Sequence, residues 1–217
     1  MEKLLQLLEE TQPTPASFKT IAEQLMNKFR LHVNGKKYRV VECEFYYFCS
    51  GHKDPFAHGH ELQKTTFGQW YFHGSGLDIT LGNRDKSTYG GILLRGIAEV
   101  DENDKIVKPA VIGPLNVCTE LFKQVGTVIS QNLELGFVDI SGKSNKITNA
   151  RIFAVPRIGL NPIKDTTGKF CNEAYRFVSF LDLKHRASEK IKKYLLEDSE
   201  VTLTPQDYLK YYKGGLW

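Results

Sequence analysis

The stretch Lys37-Tyr-Arg-Val-Val-Glu-Cys-Glu-Phe-Tyr-Tyr-Phe48 decides the fold. It follows the turn pair Asn34-Gly35, is rich in Tyr, Val and Phe, and reads as a strand. Alternation sends Val41, Cys43, Phe45 and Tyr47 to one face and Glu42, Glu44 and Tyr46 to the other. The first face packs. The second carries two carboxylates and a phenol, so it is either solvated and ion-paired or part of a site.

Upstream of this strand, Phe18, Ile21, Ala22, Leu25, Met26 and Phe29 recur at helical spacing behind the start signal Thr14-Pro15. Downstream, residues 50–67 read as a polar loop holding His52, His58 and His60. Further strands are expected at 69–72, 77–81, 91–100, 137–140, 146–155 and 175–181. Gly113-Pro114 opens a helix whose buried side is expected to be Leu115, Cys118, Leu121, Phe122 and Val125. Two closing helices are expected, at 186–196 and after Thr204-Pro205. Strands without regular helix alternation predict an α+β domain with a mostly antiparallel, curved sheet and surrounding helices. The expected organisation is one domain over 1–217. It comprises an N-terminal helical segment (1–35), a core (36–183) and C-terminal helices (184–217).

Composition narrows the class. The 217 residues are 41% hydrophobic and 12% aromatic, with Gly, Pro and Cys near ordinary usage, which excludes collagen-like, disordered and disulfide-scaffold chains. No apolar run approaches the roughly 18 residues of a membrane span. Residues 1–10 are acidic and amphipathic, unlike a secretory leader, so an intracellular location, most simply as a monomer, is expected. Cys43, Cys49, Cys118 and Cys171 form no C-x-x-C pair and are expected to stay reduced. The net charge of +4 permits a nucleic-acid partner without demanding one.

Several constellations could carry chemistry. Glu42 and Glu44 lie about 7 Å apart by strand rise, close enough for each to disfavour ionisation of the other. A partly desolvated Glu44 is then a candidate general base. Cys43, Cys49, His52, His58 and His60 follow a C-x5-C-x2-H-x5-H-x-H spacing that matches no common zinc site, so no metal or cofactor is expected. In the run Trp70-Tyr71-Phe72-His73, Trp70 and Phe72 share one face and Tyr71 and His73 the other. One pair packs; the other can line a pocket for a planar ligand. Arg95, after Ile92-Leu93-Leu94, is an inward charge that needs an acidic partner or an anionic ligand. The helix start at Gly113-Pro114-Leu115-Asn116 is a weak candidate phosphate seat.

Taken in order, these pieces resemble the alkyladenine (3-methyladenine) DNA glycosylase family. Val40-Val41-Glu42-Cys43-Glu44-Phe45-Tyr46 is similar to the family's V-E-T-E-A-Y strand, and Asp54-Pro55-Phe56-Ala57-His58 to its D-x-A-x-H stretch. Gly68 to Gly74, Leu93-Leu94-Arg95, Gly113-Pro114, Arg157-Ile158-Gly159-Leu160 and Tyr175-Arg176-Phe177 resemble later family motifs in the same order. The resemblance runs from about Val40 to Phe177. It implies a DNA glycosylase of base excision repair, acting on damaged DNA by flipping an alkylated or deaminated purine out of the stack. Glu44 would activate the water, and Arg95 would hold the backbone near the reacting sugar. Tyr46 and His58 would sandwich the base, with Trp70 or Tyr71 stacking beyond. His73 stands where the family has its inserted Tyr, and the family's pocket Asn falls near Thr80 or Asn83. No cofactor is implied. The alternative is a diverged member that binds a nucleotide or other small planar ligand in the same pocket.

Overall fold

In the computed structural model, which describes residues 2–9, 11–83, 85–129, 133–142 and 149–197, the quoted stretch lies inside a 14-residue central strand. In chain order the first elements are α1 (Glu2–Glu9), α2 (Pro15–Lys28), β1 (Phe29–Val33), β2 (Lys36–Cys49), β3 (His52–Lys53) and α3 (Glu61–Thr65). Then come β4 (Phe67–His73), β5 (Gly76–Leu81), β6 (Tyr89–Glu99), β7 (Val111–Ile112) and α4 (Pro114–Lys123). The chain continues through β8 (Leu135–Asp139), β9 (Ile152–Val155), a 3-10 turn Pro162–Lys164, α5 (Lys169–Asn172), β10 (Arg176–Ser179) and α6 (Ser188–Glu197). The closing helix expected after Thr204 lies outside the described residues.

The strands form one antiparallel sheet with the path β4-β5-β6-β2-β1-β8, and β10 joins it by pairing with both β2 and β9. The architecture is therefore α+β in a single domain. Strand β2 is hydrogen-bonded along one edge to β6 and along the other to β1 and β10, and residues 38–45 are buried on both of its faces. Thr14 caps α2, its hydroxyl accepting from the Ser17 N–H at 3.2 Å, and Pro15 fills the first helical position. The apolar stripe of α2 then packs on the Phe45 face of β2: Phe18 stacks on Phe45 at 4.8 Å, and Phe177 meets Phe45 edge-on at 5.4 Å. A smaller cluster of Phe153, Val155, Val178, Ile191 and Leu195 lies under α6.

Two local expectations are corrected, and one open alternative is narrowed. Residues 50–67 are not a plain loop. They contain β3 and the five-residue α3, whose start is capped by His60 Nδ1 accepting from the Leu62 N–H. Helix α4 buries Val117 and Leu121 and leaves Leu115 and Phe122 exposed. Both stripes of this helix are apolar, and the sheet takes the one that fits it while Phe122 packs against Phe72 at 5.2 Å. The carboxylate face of β2 is not solvated, since Glu42 and Glu44 are both 0% exposed.

Candidate functional site

A cavity of about 590 Å³ lies over the polar face of β2, lined from that face by Tyr46, with Glu42 and Glu44 buried beneath it. Tyr46, Leu93 and Arg95 line it from the sheet, His58, His73 and Asp78 from a second side, and Ile158 to Asn161 with Lys164 from a third. Arg95 reaches the floor because the β2–β6 ladder is irregular there: pairing shifts between Val40 and Glu42 and again between Glu42 and Cys43. Gly96 makes the close approach possible, since a side chain at 96 would meet Glu42 Cβ at 3.0 Å.

Below the floor the charges form one connected set. Arg95 Nε donates to Glu42 Oε1 at 3.0 Å, and its Nη1 donates to Glu44 Oε2 at 3.2 Å. Glu44 Oε2 also accepts the Tyr46 hydroxyl at 2.6 Å, and Glu44 Oε1 accepts the Ile158 N–H at 3.3 Å. Glu42 takes Arg176 Nε on Oε1 and His185 Nδ1 on Oε2, each at 2.9 Å. His185 Nε2 lies 2.8 Å from the Ser179 carbonyl, which fixes its ring. The two carboxylates therefore have different surroundings on the same strand face.

Their acidities diverge accordingly. Burial pushes the Glu44 carboxyl above its ordinary value, and Arg95 and the Tyr46 hydroxyl offset this only in part. Burial acts on Glu42 too, but His185, Arg176 and Arg95 together outweigh it and hold that carboxyl below its ordinary value. Neighbouring carboxyls pushed apart in this way are found in acid–base sites and in structural ion-pair networks alike. Burial and the adjacent Glu44 carboxylate raise the Tyr46 hydroxyl well above its ordinary value, which keeps it a proton donor. Burial, then His73, lower the His58 imidazole, so it is neutral at physiological pH.

The aromatic lining is held from behind. Arg157 grips Asp54 through both oxygens at 2.7 and 3.1 Å, and its guanidinium lies 4.6 Å over the Tyr46 ring. One face of Tyr46 is thus covered by a cation that is itself 4% exposed and paired.

Of the residues singled out from sequence, Glu44, Tyr46, Arg95, His58 and His73 come together here. Tyr71 lies on the cavity side of β4 but is taken up in a ring stack, with His60 at 5.1 Å and His73 at 5.0 Å. His73 is no protruding wedge, because its side chain is only 10% exposed and abuts His58 and Asp78. Two residues are not brought to the site. Trp70 faces the other way and packs on Phe137 at 5.5 Å, and Thr80 is buried with its hydroxyl accepting the Gln69 N–H at 3.0 Å. His52 belongs to the core, bonded to the Tyr47 carbonyl and the Tyr175 hydroxyl at 2.8 Å each. Among the described residues no group of His, Cys, Asp and Glu is arranged to hold a metal ion. Asp54, Arg157, Arg176 and His185 were given no role from sequence. Asp54, Arg157 and Arg176 lie in stretches that carry the resemblance, and His185, between Lys184 and Arg186, has no local signal.

No helix among the described residues is long and apolar enough to cross a membrane. No protein-family model matches the chain. It is 31% identical to a protein of Acanthamoeba polyphaga mimivirus, "Uncharacterized protein L759", in an alignment covering 75% of this chain and 86% of the viral one. At that identity and coverage the chain belongs to one family with the mimivirus protein.

Proposed function

We propose that the chain is a monofunctional DNA glycosylase that hydrolyses the N-glycosidic bond of an alkylated or deaminated purine extruded from DNA. The observation that carries this reading is Glu44: a buried carboxyl whose pKa is raised, set behind Tyr46 and Arg95 beneath a cavity with room for a purine nucleotide. In the reaction the water oxygen bonds to C1′, the C1′–N bond breaks, and its electron pair leaves with the base. Glu44 receives the water proton. A base made cationic by alkylation departs neutral and needs little further help, and an ionised Glu44 beneath the sugar favours the positive charge that develops there. Tyr46 and His58 offer ring surface to the base. Lys164, Arg186 and Lys190 stand exposed at the cavity and suit a phosphate backbone.

A second reading is binding of a nucleotide or another small planar ligand without turnover. It is favoured by one observation, that Glu44 is 0% exposed and already accepts donors on both oxygens. Incubation with methylated and hypoxanthine-containing duplexes separates the two. Abasic sites formed by the wild type support the enzyme; a tight complex with a free purine derivative and no abasic sites supports the binder.

A further inference from the structure

One wall of the cavity carries side chains that the glycosidic step does not use. Gln63 and Asp78 both line it, at 0% and 3% exposure. Gln63 Nε2 donates to Asp78 Oδ2 at 2.6 Å. That bond fixes the amide, because turning it over would set two oxygens against each other. The remaining oxygen of each side chain, Gln63 Oε1 and Asp78 Oδ1, is buried and accepts no hydrogen bond. Asp78 Oδ1 lies 3.2 Å from His73 Nε2, but the ring N–H is not aligned with it, and that nitrogen also lacks a hydrogen-bond partner. The other ring nitrogen, Nδ1, is occupied by the Ser75 N–H at 3.3 Å.

Two acceptors on adjoining side chains are thus desolvated without donors, an arrangement that is costly unless a donor arrives from elsewhere. The backbone makes room for them. Asp78 sits on β5 opposite β6, where Gly91 carries no side chain; a Cβ there would stand 2.8 Å from Asp78 Oδ2. His58, neutral and perpendicular to His73 at 5.4 Å, completes this wall.

We infer that Gln63 Oε1 and Asp78 Oδ1 form the edge by which the cavity selects its ligand, taking N–H donors from it, so that the favoured base is a purine bearing an exocyclic amino group. The inference rests on the reading that the cavity holds a base. It narrows that reading to bases that keep an amino group, so deaminated purines such as hypoxanthine are disfavoured. A purine without the amino group leaves both oxygens unpaired. One with a carbonyl in its place sets oxygen against oxygen, and either loss leaves a buried acceptor unpaired, which discriminates between ligands.

Isothermal titration of purine, adenine, 2-aminopurine and hypoxanthine into the wild-type protein and into Asp78→Asn tests this. The better of the two amino isomers is expected to bind the wild type about tenfold or more tightly than purine or hypoxanthine. In Asp78→Asn the amide oxygen stays on the Gln63 N–H and its NH2 replaces Oδ1, so the preference should turn toward the hypoxanthine carbonyl. Equal affinities in the wild type, an unchanged preference in Asp78→Asn, or no binding of any base would overturn the inference. The wild-type comparison decides by itself should the variant not fold. Base release from damaged DNA is scored separately. Amino preference without release leaves this inference standing and removes the enzymatic reading, whereas release without preference does the opposite.

Discussion

Glu42 and Glu44 stand two residues apart on one strand face and share the guanidinium of Arg95, yet their carboxyls are displaced in opposite directions. The difference lies in the company each keeps beyond Arg95. Glu42 has Arg176 and His185, whereas Glu44 has an uncharged phenol and one backbone N–H. The first is a structural anchor, and the second is the base of the proposed reaction.

That division makes Glu44→Gln a benign change for the fold. A carboxyl whose pKa is raised by folding contributes stability below its unfolded pKa and loses it as pH rises through the folded one. At neutral pH the wild type therefore carries a penalty for Glu44 that the amide lacks. Urea unfolding at pH 7 should find the variant within about 1 kcal/mol of wild type or more stable. A loss of several kcal/mol would show Glu44 to be an anchor like its neighbour.

Glu42→Gln should be severe. It leaves Arg176 and His185 facing a neutral amide in the interior, and breaking a buried pair costs about 3–5 kcal/mol. The sign of the pH dependence also differs. A depressed carboxyl contributes stability above its unfolded value and loses it as pH falls toward the folded one. Wild-type stability should thus decline on acidification along a limb that Glu42→Gln lacks, as read from unfolding midpoints across the acid range.

The rate of base release should rise with pH along an acid limb lying above the ordinary carboxyl range, since Glu44 must be ionised to accept a proton. The Tyr46 hydroxyl bond lowers the Glu44 value, so Tyr46→Phe should move that limb to higher pH. Single-turnover rates plotted against pH for both proteins check this; a limb that does not move separates the hydroxyl from the base.

Trp70 offers a negative control. It packs on Phe137 and its indole N–H points to the Leu135 carbonyl at 3.4 Å, away from the cavity. Trp70→Ala should cost about 2–3 kcal/mol, less than a fully buried Trp, while base release and purine affinity stay within about twofold. A selective loss of affinity would return Trp70 to the site.

The strand at the centre of the fold was legible because period-2 alternation survives burial on both sides, and Arg95 was legible because a charge inside an apolar run must find a partner. Other features were not. Arg157 meets Asp54, and His185 meets Glu42, across 103 and 143 residues of sequence, which no local pattern encodes. The alternation of residues 70–73 separated Trp70 from Tyr71 correctly, but which face meets the cavity depends on where β5 and α3 lie. Helix α3 is too short for periodicity to declare, and α4 offers two apolar stripes of which only packing selects one.

The most direct test compares wild type with Glu44→Gln on one alkylated duplex, measuring base release and DNA binding in the same preparation. The expected result is release by the wild type, a rate lower by about 10²–10⁴ in the variant, and equal binding by both. Release that persists in Glu44→Gln, or a wild type that binds the duplex and frees no base, would contradict the assignment of this carboxylate as the base.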